Sequence, residues 1–217
     1  MINEFICAKV LAVKLISNIS PDMAEKLALK PHHKSLGIVT ADIDDVTYVA
    51  LDEATKAADV EVVYGKSMYA GSGNASTKLA GEVIGIIAGS SPAEVRSGLN
   101  AVIANIETGA HFVSANEDNS VPYFAHCISR TGSYLSETAG ITEGDALAYL
   151  IAPPLEAIYG LDAALKTADV SIATFFGPPT ETNFGGALLT GSQSACKAAC
   201  DAFADAVKFV AAHPKEY

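Results

Sequence analysis

The chain of 217 residues is acidic and half apolar: 14 Lys and Arg stand against 25 Asp and Glu, the formal net charge is −11, and 50% of the residues are hydrophobic. Intrinsic disorder requires low hydrophobicity and a high charge density, so this chain is expected to fold. Sequence-independent binding of nucleic acid depends on clustered Lys and Arg, and the chain has no basic run, so no nucleic-acid partner is expected.

The first half of the chain predicts alternating strands and helices. Leu51, Ala54, Thr55 and Ala58 follow the spacing i, i+3, i+4 and i+7, which is typical of one face of an amphipathic helix, predicted here to begin near Tyr48 and to end near Asp59. Ser91 before Pro92 is typical of a helix start, with the serine as the N-cap. The other elements predicted in this half are strands at 8–16, 60–64 and 82–89 and a long helix at 92–107.

The second half repeats this order. Residues 158–170 (IYGLDAALKTADV) align with residues 48–60 (YVALDEATKAADV) at an offset of 110, and seven of the thirteen positions are identical. Strands at 122–129, 170–176 and 186–191 and a helix at 192–212 complete the second copy. The sequence therefore predicts two tandem domains of one design, over 1–111 and 112–217, each a sheet covered by helices.

The repeated pattern L-D-x-A-x-K-x-A-D-V, followed by a strand, resembles the shell-protein domain of bacterial microcompartments. The resemblance is closer still to the tandem-domain shell proteins of ethanolamine-utilisation compartments, and it covers nearly the whole chain. It rests on SLGIVTADIDDVTY (35–48), DEATKAADVEVVYGKSMYAG (52–71), SRTGSYLSETAGI (129–141), APPLEAIYGLDAALK (152–166) and LTGSQSACKAAC (189–200).

This resemblance implies an α/β (α+β) fold of two tandem, circularly permuted shell domains, each a small, mainly antiparallel sheet flanked by helices. It implies a structural role without catalysis, as a homotrimer that serves as a pseudohexameric tile among other shell proteins. It also implies a small ethanolamine-binding pore in each subunit and a larger, allosterically gated central pore for the transport of substrates, products or cofactors. It implies no bound cofactor of the protein's own.

Ethanolamine is a small ammonium compound with one hydroxyl, so its site needs a carboxylate, a further hydrogen-bond acceptor and preferably an aromatic face. From the resemblance and this charge argument, the predicted lining of the subunit pore is Asp44, Asp45, Glu82, Phe112, Thr182, Asn183 and Phe184. Four of these residues could instead have purely structural roles. Asp44 and Asp45 also suit a helix N-cap or first turn. Glu82 also suits an exposed strand start, and Phe112 suits an interdomain core.

Two Gly-rich segments, 65–77 and 177–186, are predicted to be loops that line a gate, because glycine permits the backbone changes of a moving loop. An ordinary surface loop is the alternative for both. The glycines assigned to the gate loops are Gly65, Gly71, Gly73, Gly177 and Gly185.

The remaining residues that could carry chemistry predict no metal site. Cys196 and Cys200, at i and i+4, lack further soft ligands and are predicted to be small buried residues. Cys127 is expected to be buried in the same way. His32, His33 and His126 have no metal-ligand spacing with acidic partners, so no metal is assigned.

Location and function keep some alternatives open. No apolar stretch of about 18 residues occurs, so no membrane span is predicted. Segment 1–16 contains Glu4, Lys9 and Lys14 and is not expected to be a signal peptide. Four scattered cysteines favour a reducing, cytoplasmic environment. The alternatives to a shell protein are a duplicated small-domain enzyme and a small-molecule-binding signalling module.

Overall fold

The computed structural model describes residues 2–67 and 83–216. The chain divides into two compact units. The first unit comprises Cys7–Ala110 and Gly132–Leu135, and the second comprises Met1–Ile6, His111–Thr131 and Ser136–Tyr217. The sequence analysis predicts a single boundary between the two domains, after residue 111. The structure instead gives each unit a short segment from the other half of the sequence.

The described residues contain ten strands and six helices. The strands are β1 (Phe5–Ile6), β2 (Val10–Ile16), β3 (Ser35–Ala41), β4 (Val60–Ser67), β5 (Val83–Gly89), β6 (Phe112–Ser114), β7 (Pro122–Ile128), β8 (Ala146–Ala152), β9 (Val170–Phe176) and β10 (Gly185–Gly191). The helices are α1 (Pro21–Lys26), α2 (Asp44–Ala57), α3 (Pro92–Thr108), α4 (Ser133–Ala139), α5 (Pro154–Thr167) and α6 (Gln193–Ala212).

Both sheets are built on the same strand order. The sheet of the first unit has the order β2-β3-β5-β4, and the second unit has β1-β6-β7-β8-β10-β9, which repeats that order after the β1–β6 pair. All pairs are antiparallel, and equivalent strands keep the same register: Ala41 lies opposite Val83, and Ala152 lies opposite Gly185. The prediction of two tandem copies with antiparallel sheets is therefore confirmed.

The repeated sequence forms the same helix twice. Helices α2 and α5 each have 14 residues, and each ends at an alanine C-cap. The N–H groups of Ala58 and Ala168 donate to the carbonyls of Ala54 and Ala164, both at 3.1 Å. The first copy begins at Asp44, four residues before the predicted start, because the helical turn of Asp44–Thr47 lacks the apolar spacing on which that start was based.

Serine caps start the long helices α3 and α6, as the sequence predicts for Ser91. The Ser91 hydroxyl accepts a hydrogen bond from the Glu94 N–H at 3.3 Å, and the Ser192 hydroxyl accepts one from the Ala195 N–H at 3.2 Å. Each cap satisfies one of the N–H groups that a helix start leaves unpaired. The helix of the second copy thus has the same serine cap as that of the first, but it lacks a proline at its first position.

Each unit has its own apolar core. In the first unit, Leu36, Ile86 and Ala88 form a buried cluster on the sheet. In the second unit, Leu150, Leu189 and Phe203 are fully buried in a cluster that includes residues of α5 and α6. Cys196 and Cys200 belong to this cluster at 0% and 3% exposure, so their predicted burial is confirmed. Within the described residues, no helix is both long and apolar enough to span a membrane.

Candidate functional site

Asp44 and Asp45 form the first turn of α2 in the first unit. The Asp44 carboxylate accepts a hydrogen bond from the Asp45 N–H at 3.0 Å, and Asp45 is buried at 6% exposure. The residue at the N-cap is Ile43, which makes no side-chain cap, so the N-cap interpretation of the aspartates is wrong. The first-turn interpretation is confirmed, and the helix dipole stabilises negative charge at this position.

Tyr48, one turn further along α2, places a phenol beside these carboxylates. Its hydroxyl lies 2.5 Å from the Ser67 hydroxyl. Burial raises the pKa of Tyr48 well above its usual value, and the negative charges of Asp44 and Asp45 act in the same direction. Two carboxylates beside a neutral phenol give a local field that favours a small cation. The sequence analysis did not single out Tyr48, because nothing in its spacing marks it.

In the second unit, Phe112 and Phe184 contribute to an aromatic cluster. Phe112 lies on β6 at 5% exposure, stacks on Phe124 at a centroid distance of 5.1 Å, and lies 6.1 Å from the ring of Phe184. Phe184 is half-buried and directly precedes β10. The structure therefore brings these two predicted aromatic residues together.

Thr182 and Asn183 lie in the turn that leads into β10. The turn closes with the Thr180 N–H donating to the Phe184 carbonyl at 2.8 Å and the Asn183 N–H donating to the Thr180 carbonyl at 3.0 Å. Asn183 adopts a φ of 66°, in the left-handed region that asparagine tolerates better than most residues. Asn183 is exposed and Thr182 is half-buried. Asn183 thus has a structural reason for its position, whereas the Thr182 hydroxyl lies 3.4 Å from the Thr180 hydroxyl.

The remaining predicted ligand residue and three of the predicted gate-loop glycines lie outside the described residues or outside a loop. Glu82, Gly71 and Gly73 lie outside the described residues. Gly65 lies in β4, opposite Gly85, so the predicted loop at 65–67 is wrong. A Cβ at position 65 would lie 2.6 Å from the Tyr134 hydroxyl oxygen, which gives this glycine a packing role.

The second glycine segment is also shorter than predicted. Gly185 is the first residue of β10, where a Cβ would lie 2.6 Å from a side-chain carbon of Pro178. Gly177 directly follows β9 and remains in the connection between the strands. The described part of the proposed gate loops is therefore 177–184.

A group of possible metal ligands that the sequence did not connect lies in the first unit. His32, His33 and Glu61 each offer one ligand atom, and these atoms lie within 4.8 Å of one another. The Glu61 Oε1 atom is 3.6 Å from His32 Nε2 and 3.5 Å from His33 Nε2. The two imidazole rings meet edge to face at 4.3 Å.

Charge and burial differ across this group. The Lys30 ammonium donates to Glu61 Oε2 at 2.5 Å, and this bond holds the pKa of the Glu61 carboxyl below its usual value. Burial lowers the pKa of His33, so its imidazole is neutral near pH 7, while its Nδ1 accepts a hydrogen bond from the Lys30 N–H at 3.3 Å. The His32 and Glu61 side chains are 59% and 40% exposed, and that of His33 is 2% exposed.

The second unit also has a cavity of about 600 Å³, which contains none of the predicted ligand residues. Its lining includes the Cys127 thiol and the Lys197–Asp201 ion pair. Cys127 is half-buried rather than buried, and burial raises the pKa of its thiol. The thiol is therefore protonated near pH 7 and a weak nucleophile.

Known proteins resemble this chain over its full length. The family model of the BMC domain matches residues 35–117. The chain is 74% identical over 214 residues to the bacterial microcompartment shell protein EutL of Clostridium perfringens. This alignment covers 99% of each of the two chains. It is 57% identical to the EutL shell protein of Escherichia coli, over 97% of this chain and 96% of the relative.

A solved structure gives the same result. The fold matches the crystal structure of the ethanolamine utilization protein EutL from Leptotrichia buccalis with a TM-score of 0.98 and 67% identity, over 100% of both chains. These identities over whole chains exclude a chance likeness of two α/β domains. The chain therefore belongs to the EutL family of bacterial microcompartment shell proteins, which are structural proteins and not enzymes.

Proposed function

We propose that this chain is a structural tile in the shell of an ethanolamine-utilisation microcompartment in the bacterial cytoplasm. The observation that carries the proposal is the 67% identity over the whole chain to a protein described as the ethanolamine utilization protein EutL. In this role the chain forms a homotrimer, packs against other shell proteins, and passes small molecules through its pores.

Two features of the chain support a trimeric tile. Each chain contains two copies of one four-stranded design, so three chains around a threefold axis present six similar domains. The second unit also exposes several large apolar side chains that contacts with neighbouring subunits would cover. These are Leu155, Ile158 and Tyr159 on α5 and Ile172 and Phe175 on β9, all between 47% and 62% exposed.

Light scattering and electron microscopy test the assembly. We expect a particle of three times the 22.4 kDa chain mass, and flat layers in concentrated protein. Replacement of Ile172 by Lys, on the exposed face of β9, is expected to reduce layers or trimers, whereas Lys in place of the exposed Ala93 serves as a matched control. A wild-type monomer that forms no layers would argue against the tile and favour the small-molecule-binding module.

Ethanolamine binding is the second part of the proposal. Asp44 and Asp45 supply negative charge, and the Tyr48 phenol supplies a hydroxyl beside them.

In the second unit, Phe112 and Phe184 offer aromatic surface, and Thr182 and Asn183 offer polar groups. Glu82 is retained as a carboxylate of the same proposal from the sequence. The ammonium of the ligand pairs with carboxylates, and its hydroxyl exchanges hydrogen bonds with neutral polar groups.

Calorimetry with ethanolamine tests these assignments one residue at a time. Asp45→Asn and Glu82→Gln are each expected to weaken binding by roughly 10-fold or more, the effect of losing one hydrogen bond to a charged group. Asp162→Asn is the matched control, because Asp162 is the exposed repeat equivalent of Asp52 and its carboxylate pairs with Lys166. Binding by Asp45→Asn as tight as by the wild type would remove Asp45 from the site.

Gating of the central pore completes the proposal, with the connection that contains Gly177 as its described part and with Gly71 and Gly73 retained from the sequence. A ligand shifts a gate only if it binds one state better than the other. Limited proteolysis with and without ethanolamine therefore tests the coupling at 177–184. Ligand-dependent cleavage in this connection is expected, and identical cleavage patterns would show that ethanolamine does not order it.

A further inference from the structure

The side chains of His32, His33 and Glu61 converge at one end of the sheet of the first unit. Strands β3 and β4 both pair with β5, and Ser35 and Val60 both lie opposite Gly89. The Lys34 N–H donates to the Gly89 carbonyl at 2.9 Å, so the backbone next to His33 is tied to the same strand end. Paired strands therefore hold the imidazole and the carboxylate in place before any ligand arrives.

His33 carries a buried polar atom that the protein leaves without a hydrogen bond. Its Nε2 atom is buried and has no hydrogen-bond partner in the structure. The Glu61 Oε1 atom lies 3.5 Å from it, beyond the normal range for a hydrogen bond from nitrogen. A buried polar atom without a partner costs stability, and its presence calls for an explanation such as an ion bound there.

We propose that His32, His33 and Glu61 bind a divalent transition-metal ion of the zinc class. Two imidazole nitrogens and one carboxylate oxygen form a ligand set that zinc accepts in proteins, with a fourth position left for water or another ligand. Because the His32 and Glu61 side chains are partly exposed, the ion enters from solvent on their side. The buried imidazole of His33 then binds it on the side that faces the protein interior. This site is separate from the proposed ethanolamine residues and does not depend on that proposal.

Two features of this arrangement have to change when the ion binds. Ligation through Nε2 of a neutral imidazole requires the proton on Nδ1, so His33 changes tautomer and gives up its hydrogen bond from the Lys30 N–H. The Lys30 ammonium, which bonds to Glu61 Oε2, repels the incoming cation. Lys30 therefore competes with the metal for Glu61, and removing its charge strengthens metal binding.

Zinc chloride titrated into the full-length protein, with a chromophoric chelator as competitor, tests the site. Wild type is expected to bind one zinc per chain at these residues. His32→Ala and Glu61→Gln are expected to lose at least about 10-fold in affinity, the loss found even for outer-shell partners of a metal. Lys30→Gln is expected to bind zinc several-fold more tightly. His213→Ala removes an exposed histidine from the second unit and is expected to bind like the wild type.

The measurements distinguish the loss of a metal ligand from misfolding of the variant. His32 and Glu61 are partly exposed, so their variants should fold, and unchanged circular dichroism checks this. Zinc-edge anomalous diffraction should then show a peak between the two imidazoles and Glu61. Wild-type affinity in both His32→Ala and Glu61→Gln, or absence of zinc binding by the wild type, would overturn the proposal. Weaker rather than tighter binding by Lys30→Gln would contradict the competition step.

Discussion

The carboxylate of Asp52 accepts a hydrogen bond from the Gly132 N–H at 2.7 Å, although 80 positions separate the two residues in the sequence. The same carboxylate accepts a second bond from the Leu135 N–H at 2.8 Å, and Asp52 is fully buried. Both partners belong to the first unit and lie at the start of α4. Asp52 therefore caps a helix start from a distant part of the chain.

Loss of this carboxylate should destabilise the chain. Asp52→Ala leaves two buried N–H groups without acceptors and leaves Lys56, which lies 3.6 Å from Asp52 Oδ2, without this partner. We expect the free energy of unfolding to fall by about 3 kcal/mol, as for other buried charge partners. Urea unfolding followed by circular dichroism measures the change.

The repeat provides a matched control for this prediction. Asp162 aligns with Asp52, but its side chain is 62% exposed and pairs with Lys166 at 2.6 Å. Asp162→Ala should leave the urea midpoint within experimental error, because exposed ion pairs contribute little. Equal midpoint shifts for the two variants would show that the contacts of Asp52 contribute no more than a surface pair.

Gly132 should not tolerate a side chain. A Cβ at this position would lie 2.2 Å from the Thr55 hydroxyl oxygen and 2.7 Å from the Asp52 carbonyl oxygen. Gly132→Ala forces these groups apart and is expected to cost about 1–3 kcal/mol, the usual cost of overpacking. Gly177→Ala is the control, since its nearest contact is a ring atom of Phe175 at 3.3 Å, and the Phe175 side chain is exposed. A Gly132→Ala midpoint equal to that of Gly177→Ala would contradict the expected crowding.

The serine caps of α3 and α6 should contribute similar stability. Ser91→Ala and Ser192→Ala each remove one side-chain acceptor from a helix start, so each is expected to lower the free energy of unfolding by about 1 kcal/mol. Ser97, exposed inside α3, is the control: Ser97→Ala should stabilise slightly because alanine has the higher helix propensity. A loss of stability in Ser97→Ala as large as in Ser91→Ala would mean that capping is not the cause.

Alkaline pH should destabilise the first unit through Tyr134. Burial, helped by the negative charge of Asp52, raises the pKa of Tyr134 to about 12. An unfolded tyrosine titrates near 10, so the unfolded state releases its proton first. The stability from the neutral phenol is therefore complete below pH 10 and is lost as the pH rises towards 12. By pH 11 the loss amounts to about 1.4 kcal/mol.

Urea unfolding between pH 8 and 11 measures this slope. Tyr134→Phe lacks the titrating group and should lose less stability over this interval than the wild type. Tyr159, which is 48% exposed, supplies the control, and Tyr159→Phe should keep the wild-type slope. An unchanged slope in Tyr134→Phe would assign the alkaline loss to other groups.

Much of the fold could be predicted because the repeat is regular. The helix that ends near Asp59 and its copy, the Ser91 cap and the strands that follow each helix all have local signals in spacing or caps. The sequence analysis missed β3 and β8 as strands. All seven residues of β8 are buried, so the strand has no alternation of polar and apolar residues from which a strand could be recognised. Strands β1 and β6, with two and three residues, are too short for a pattern.

The sites were harder to predict, because they depend on residues that are distant in the sequence. The sequence could not distinguish Asp52 from Asp162, since the repeat makes them equivalent and only their surroundings differ. Glu61 is 28 positions from His33, and only the pairing of β3 and β4 with β5 brings the two together. The rings of Phe112 and Phe184 lie 6.1 Å apart, but the two residues were grouped on the family resemblance rather than on spacing, and their role in a pore stays a prediction.

The exchange of short segments between the two halves has a consequence for synthesis on the ribosome. The main segment of the first unit ends at Ala110, yet Asp52 gains its partner N–H groups only after residue 135 has been translated. Strand β1 is made before its pairing partner among the described residues, β6, which begins at Phe112. The nascent chain therefore cannot complete one repeat and then the next, and separately expressed halves cut after residue 111 would each lack a segment that the intact chain supplies.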